Sequence, residues 1–312
     1  MFIIINKGDS MFKEYLEYFE TLKIDKSKET YRSYKYIVDS FINYFNIKDI
    51  NDIKILQNND IQNYINMMAT KNEAIDLNTI NKAKATANAH LRVIKTFSNW
   101  LVLKKYIENS PTVGVFRFKE GKKIASIFTK EERDNAILNT KNKIELQMMM
   151  AVLFYTGLRR EEAVNVKISD IVNGVLLVHG KGNKERKLPL TPFIQELINR
   201  CLAQRKNKTE YLFASARGGH KITTGALYKR VKVACELANI DPNKIDKLSP
   251  HSIRRSLACF LLIDGASTLS IMYTLGHINP KTTEIYVRPA LSLASSKALL
   301  SQDPPKWWKE DE

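Results

Sequence analysis

Residues 174–190 read GVLLVHGKGNKERKLPL. Two short strand-like runs, GVLLV and RKLPL, flank a turn rich in Gly, Asn and Lys, which is hairpin chemistry. Set among helical patterns on both sides, this stretch makes the chain mainly α with a small β-hairpin or sheet. The turn is not a nucleotide-gripping loop, because G-x-x-x-x-G-K-[ST] is missing, and nucleotide hydrolysis loses its best support. A lysine in such a turn is ordinarily just exposed, and His179 ahead of it reads as a strand histidine.

Towards the N-terminus the apolar residues recur at helical spacing. Phe12, Tyr15, Leu16, Phe19 and Leu22 form one stripe. Tyr34, Ile37, Val38, Phe41, Ile42 and Phe45 form a second, behind a polar SKET start that suits a helix N-terminus. Asp60 is placed to cap a third helix carrying Ile61, Tyr64, Ile65 and Met68. A fourth runs from about Asn78 through Ile80, Ala83, Ala87, Leu91, Ile94 and Phe97 to Trp100. Strand signals are absent here, so an all-helical bundle is expected over 1–108. Ser110-Pro111 breaks the pattern, and VGVFRFKEGKKIAS (113–126) reads as an exposed basic linker, assigned to 109–126. Thr129 with Glu132 is a capping-box signature that opens a second, mixed α+β domain over 127–312.

Length and charge agree with that division. The 312 residues are ample for two cores, and Lys+Arg 49 against Asp+Glu 33 leaves a net charge of +16. Such a surplus favours a polyanion, either nucleic acid or an anionic membrane surface. No run approaches the roughly 20 apolar residues of a spanning helix, so no membrane is expected. MFIIINKGDS lacks the basic n-region and small-residue cleavage site of a signal peptide. Cys201, Cys235 and Cys259 are few, odd in number and far apart, which argues against a disulfide framework and a paired-cysteine zinc site. A reducing cytoplasm is the expected compartment.

Five short pieces of the second half carry phosphate-handling groups: Arg159 in TGLRREEAV, Lys181 in GKGNK, His251 and Arg254 in PHSIRR, His277 in LGH, and Tyr286 in EIYV. Guanidiniums grip phosphate oxygens in a bidentate fork, a lysine gives a proton to a departing oxygen, imidazoles shuttle protons, and a phenol attacks phosphorus. Such chemistry needs no metal. Each piece alone has a blander reading. An arginine after a helix is a solvated residue or a cap, and Glu162 is a surface acid. His251 and Arg254, at i and i+3 on a helix begun by Ser249-Pro250, make an ion-pairing face with Leu257 and Ala258 turned to the core. Tyrosine is usually a core or interface residue.

In order and spacing these pieces resemble the catalytic domain of the tyrosine recombinases, the phage-integrase family, and most of all its Xer-type and integrative-element members. TGLR followed by Glu162, GKGNKER followed by LPL, SPH..R, and LGH with a tyrosine nine residues on all match that family's motifs. The resemblance implies that Arg159, rather than its neighbour Arg160, and Arg254 bind the scissile phosphate. It makes Lys181 the general acid, His251 a proton-transfer or phosphate-binding group, His277 a phosphate hydrogen-bond donor, and Tyr286 the nucleophile. Glu162 holds an active-site guanidinium or imidazole in place. Many relatives carry a histidine where this chain has Arg255, an extra cation near the site that reads as a supporting or DNA-backbone contact.

The same resemblance implies a two-domain DNA clamp whose helical core-binding domain presses into DNA grooves. It implies a double-stranded recombination site as partner, four protomers joining two duplexes through a four-way junction, and no cofactor or metal. The biological task would be chromosome-dimer resolution or the integration and excision of a mobile element, with an accessory DNA-bending or translocase protein as a further partner. The tail, with a short apolar helix from about Leu291 to Leu300 and then Trp307-Trp308, is expected to dock on a neighbouring protomer. Two rival functions stay open: a type IB topoisomerase-like nicking and closing enzyme, and a catalytically silent DNA-binding regulator.

Overall fold

The computed structural model describes residues 12–70, 77–120, 126–180, 184–215, 218–277, 279 and 283–284. The chain divides into two compact units, Met1–Lys123 and Ile124–Glu312. Helices dominate, and a single three-stranded sheet is present among the described residues. No described helix is long and apolar enough to cross a membrane.

Among its described residues the first unit holds five helices: α1 Lys13–Asp25, α2 Lys28–Phe45, α3 Ile50–Lys54, α4 Asn58–Thr70 and α5 Leu77–Leu103. In α1 the buried face is Tyr15, Tyr18, Phe19 and Leu22, at i, i+3, i+4 and i+7. Leu16, expected on that face, is 52% exposed, because one residue step turns it about 100° away from Tyr15. Ser27 caps α2 by accepting from the Thr30 amide, and Ile37, Val38, Phe41 and Ile42 are buried as the stripe foretells. Asp60 stands inside α4 rather than ahead of it. Its carboxylate reaches back to the Gln57 amide at 2.8 Å, closing the helix start from the first turn.

The 27-residue α5 lies against α4 and α2. Ala83 and Ala87 keep its buried edge thin, and Leu91, Ile94, Phe97 and Leu101 fill the centre of the bundle. The segment that follows is exposed over most of residues 113–120, as the sequence suggests, yet it is tethered to the bundle. Pro111 and Thr112 are buried, and Val115 and Phe118 pack on the bundle core. The Asn88 side chain clasps Phe118, donating to its carbonyl at 3.0 Å and accepting from its amide at 2.9 Å. Backbone polar groups of an irregular segment need partners once it touches a core, and a side-chain amide on α5 supplies both.

The second unit opens with α6 Lys130–Leu138, whose capping box joins Thr129 and Glu132 as the sequence indicates. Next comes α7 Ile144–Thr156, buried on nearly every face at the centre of this core, then α8 Arg160–Asn165. Strands β1 Ile171–Val172, β2 Val175–His179 and β3 Glu185–Pro189 form an antiparallel sheet in that order. The expected hairpin is β2–β3, with Leu176 opposite Leu188 and His179 opposite Glu185. The additional strand β1 turns into β2 through Asn173 and Gly174, both at positive φ, the backbone that a two-residue hairpin turn demands. Helices α9 Pro192–Gln204, α10 Thr224–Leu237, α11 Pro242–Ile245, α12 Pro250–Ile263 and α13 Thr268–Leu275 follow among the described residues.

Candidate active site

Two helices end in left-handed glycines, and the site is built on those ends. Gly157 stops α7 at φ +60, where a Cβ would meet Leu257 and Leu275 side-chain carbons at 2.9 Å. The sharp turn puts Arg159 at the start of α8, clear of the α7 core. Gly276 stops α13 at φ +61 in the same way, with the His277 amide donating back to the Met272 carbonyl.

The last carbonyls of α13 have no partners inside their own helix. Three successive ones accept from three arginines that lie far apart in the chain. Thr274 takes Arg186 Nε at 2.9 Å, Leu275 takes Arg254 Nη2, and Gly276 takes Arg159 Nη2 at 2.7 Å. Cations are favoured at this end by the helix dipole. Arg254, on α12 behind the Ser249 cap and Pro250, also donates to the Gly157 carbonyl at 2.6 Å, so one fully buried guanidinium ties the ends of α7 and α13 together. Arg159 differs, since its side chain is 40% exposed.

Glu162 sits beneath the arginines with its side chain 6% exposed. Its Oε1 accepts from Arg159 Nη1 at 2.7 Å and Arg186 Nη1 at 3.0 Å; its Oε2 accepts from the Arg159 amide at 2.8 Å and Arg186 Nη2 at 2.8 Å. Burial alone would raise its pKa. The hydrogen bonds from Arg186 and from the Arg159 amide, with the guanidinium charges, outweigh that and hold it near 2. The carboxylate is therefore charged at neutral pH. One anion against Arg159, Arg186 and Arg254 leaves the cluster cationic.

His277 is buried beside these arginines, and its Nδ1 lies 2.8 Å from Thr283 Oγ1. Burial first, then Arg254 and Arg159, push its pKa down to about 4, so the ring is neutral at pH 7. His251, in the first turn of α12, reaches solvent while its ring is partly enclosed by protein. That enclosure, followed by Arg255, Arg254 and Arg159, lowers its pKa as well. Arg255 acts here as a neighbouring cation that, after burial, lowers the His251 pKa further.

Arg159, Glu162, His251, Arg254 and His277 are thus gathered in one place. Lys181 and Tyr286 lie outside the described residues, as does the tail from Leu291 to Trp308. Among described residues close to them in sequence, Gly180 donates to the Lys184 carbonyl at 2.7 Å, and Thr283 binds His277. Two members escaped the sequence reading. Arg186 is legible in retrospect, because strand alternation puts it with Leu188 on the buried face. Thr283 carries no comparable signal. Among the described residues, no three His, Cys, Asp or Glu side chains are grouped as a metal site requires.

A helical unit is thus joined to a mixed α+β unit in which guanidiniums collect around neutral imidazoles, a cationic centre of the kind suited to an anionic group. The chain belongs to the phage integrase family: that family's model matches residues 122–292, and the phage integrase N-terminal SAM-like domain matches residues 16–105. The resemblance read from the motifs is borne out. The tyrosine recombinase XerD of Oceanobacillus iheyensis is 26% identical over 287 residues, covering 86% of this chain and 91% of that protein. Among solved structures, XerH bound to a palindromic difH substrate in a post-cleavage complex is similar at a TM-score of 0.64 and 19% identity, over 93% of this chain and 90% of the other. A lambda integrase tetramer bound to a Holliday junction is similar at a TM-score of 0.69 and 16% identity, over 87% and 76%.

Proposed function

We propose that this chain is a tyrosine-type site-specific DNA recombinase that cuts and rejoins double-stranded DNA through a covalent 3′-phosphotyrosyl link to Tyr286. The observation that carries this reading is the gathering of three arginines on the carbonyl end of α13 beside a neutral His277, in a chain of the phage integrase family. The helical unit serves DNA binding and the second unit the chemistry.

Arg159 and Arg254 stabilise the charge that collects on the nonbridging oxygens as phosphorus becomes five-coordinate. Neutral His277 hydrogen-bonds the same phosphate. His251, held neutral by its surroundings, is in the form that accepts the phenolic proton as Tyr286 oxygen bonds to phosphorus. The bond from phosphorus to the 5′ oxygen breaks, and Lys181 gives that oxygen its proton. Because the phosphotyrosyl bond keeps the energy of the broken one, attack by a 5′ hydroxyl from the partner strand reseals the DNA. Four protomers on two duplexes would exchange strands in this way through a four-way junction, an arrangement supported by the lambda integrase tetramer.

The test is to trap the covalent adduct on fragmented genomic DNA and map the attached sequences. Wild-type protein should give an adduct at discrete sites. Tyr286→Phe, which removes one oxygen and keeps the ring, should bind the same sites and give none. A normal adduct yield from Tyr286→Phe sinks the assignment, and relaxation of supercoils without strand exchange between two mapped sites would select the nicking and closing enzyme instead.

A further inference from the structure

We propose that Arg186 is a positioning residue for strand cleavage: it holds the Glu162 carboxylate and the carbonyl end of α13 in one rigid frame on which Arg159 is aimed at the phosphate. This rests on the reading of Arg159 as a phosphate ligand.

The side chains of Arg186 and Glu162 are each only 6% exposed. A buried guanidinium is costly unless its donors are met, and here they are met in a specific pattern. Nη1 and Nη2 make a two-pronged contact with the two Glu162 oxygens at 3.0 and 2.8 Å, which fixes the plane of the carboxylate. Nε points the other way, to the Thr274 carbonyl at 2.9 Å. Arg159 shares Glu162, through Nη1, and reaches the same helix end two residues further on, at the Gly276 carbonyl, through Nη2. The two arginines therefore divide the work. Arg186 spends its donors on holding; Arg159, with five N–H donors and an exposed side chain, keeps some for a ligand.

A buried ion pair is weak evidence of stabilisation, because well-packed apolar replacements are often neutral or better. What such replacements lose is geometry. A catalytic guanidinium displaced by about 1 Å costs on the order of 100-fold in rate, and the frame around Arg186 prevents that displacement.

The experiment uses the full chain and a nicked half-site duplex taken from the mapped adducts, which traps the phosphotyrosyl product. The single-turnover cleavage rate at saturation and the half-site Kd are measured for wild type, Arg159→Ala, Arg186→Met and Arg186→Lys. Each is measured on ordinary DNA and on DNA with an uncharged methyl group in place of one nonbridging oxygen at the scissile phosphate. Arg186→Met should cleave on the order of 10–100-fold more slowly, the usual range for losing the partner behind a site ligand, with Kd within about twofold. Arg186→Lys should fall between, since an ammonium reaches one carboxylate oxygen but makes no fork. On the methyl-substituted DNA the charge that Arg159 neutralises is gone. There the deficits of Arg159→Ala and Arg186→Met, relative to wild type, should shrink together.

Cleavage by Arg186→Met at the wild-type rate overturns the proposal, as does a deficit that persists on methyl-substituted DNA while that of Arg159→Ala shrinks. If Arg186→Met alone unfolds, Arg186→Lys, whose smaller deficit should shrink in the same way, carries the comparison. An Arg159→Ala variant that cleaves ordinary DNA normally shows instead that the phosphate assignment is at fault, and the inference falls with it.

Discussion

Arg159 Nη2 donates to the carbonyl oxygen of Gly276 at 2.7 Å across 117 residues of sequence. That one bond joins the TGLR turn to the LGH turn, the two motifs at the outer ends of the described cluster. The glycine is required twice over. Its φ of +61 disfavours any side chain, and a Cβ would stand 3.0 Å from Arg186 Nη1 and 3.4 Å from Arg159 Nη1. Gly276→Ala should therefore cost about 1–2 kcal/mol of stability from backbone strain. It should slow cleavage on the order of 10–100-fold by moving both guanidiniums. Urea unfolding and single-turnover adduct formation check the two effects separately.

The two proposed phosphate arginines should part company in stability. Arg254 is fully buried, and its removal strands the carbonyls of Gly157 and Leu275 without donors. At roughly 1–3 kcal/mol for each buried group left unsatisfied, Arg254→Ala should lose several kcal/mol, and cleavage with it. Arg159 is part-exposed, so Arg159→Ala should cost about 1 kcal/mol, near the centre of ordinary substitutions. It should abolish cleavage nearly as completely. Thermal and urea unfolding beside adduct yield would show whether the two losses separate.

Acid should weaken the fold in two windows. His277 goes from an ordinary 6.5 to about 4 in the folded chain. Between those values the unfolded chain binds a proton that the native ring refuses, so stability falls as pH drops from about 6.5 to 4. Glu162 acts in the same sense at lower pH: its carboxylate sits near 2 against an ordinary 4.5, so its contribution is intact above 4.5 and is lost as pH falls through 2. His277→Gln should flatten the upper window and leave the lower. Urea titrations at stepped pH would read this out, and an unchanged upper slope would refute the assignment.

Much of the fold was legible because it rests on periodicity. Tyr15, Phe19 and Leu22 declared one buried face and Ile37, Val38, Phe41 and Ile42 another, and Thr129 with Glu132 marked a helix start that the structure keeps. Leu16 misled because hydrophobicity alone does not say on which side of a stripe's edge a residue falls. The tether at Phe118 was not legible because it depends on Asn88, 30 residues earlier, a pairing that no local pattern announces. The site shows the same division. Arg159, His251, Arg254 and His277 stand out through motif spacing, and the structure brings them together. Strand alternation marks Arg186 as buried but not as the partner of Glu162 and the end of α13, and Thr283 acts through a single hydrogen bond that composition and spacing do not announce.

The part played by Lys181 can be isolated through the leaving group. An alkoxide is a poor leaving group that needs a proton, whereas a thiolate leaves readily without one, so dependence on a general acid should vanish when sulfur replaces the 5′ bridging oxygen. Lys181→Ala should cleave ordinary DNA on the order of 10²–10⁴-fold more slowly, the usual span of a general-acid contribution, and sulfur at the 5′ bridge should restore most of that rate. Arg159→Ala removes charge stabilisation instead of a proton donor, so it should stay defective on both substrates. Arg186→Met should follow Arg159→Ala, because Arg186 contacts the Glu162 carboxylate on which Arg159 rests. If sulfur restores Arg186→Met as fully as Lys181→Ala, Arg186 is serving the hairpin and its lysine rather than Arg159. Restoration of Lys184→Ala in place of Lys181→Ala would move the acid three residues along the same turn, towards the strand that Arg186 anchors.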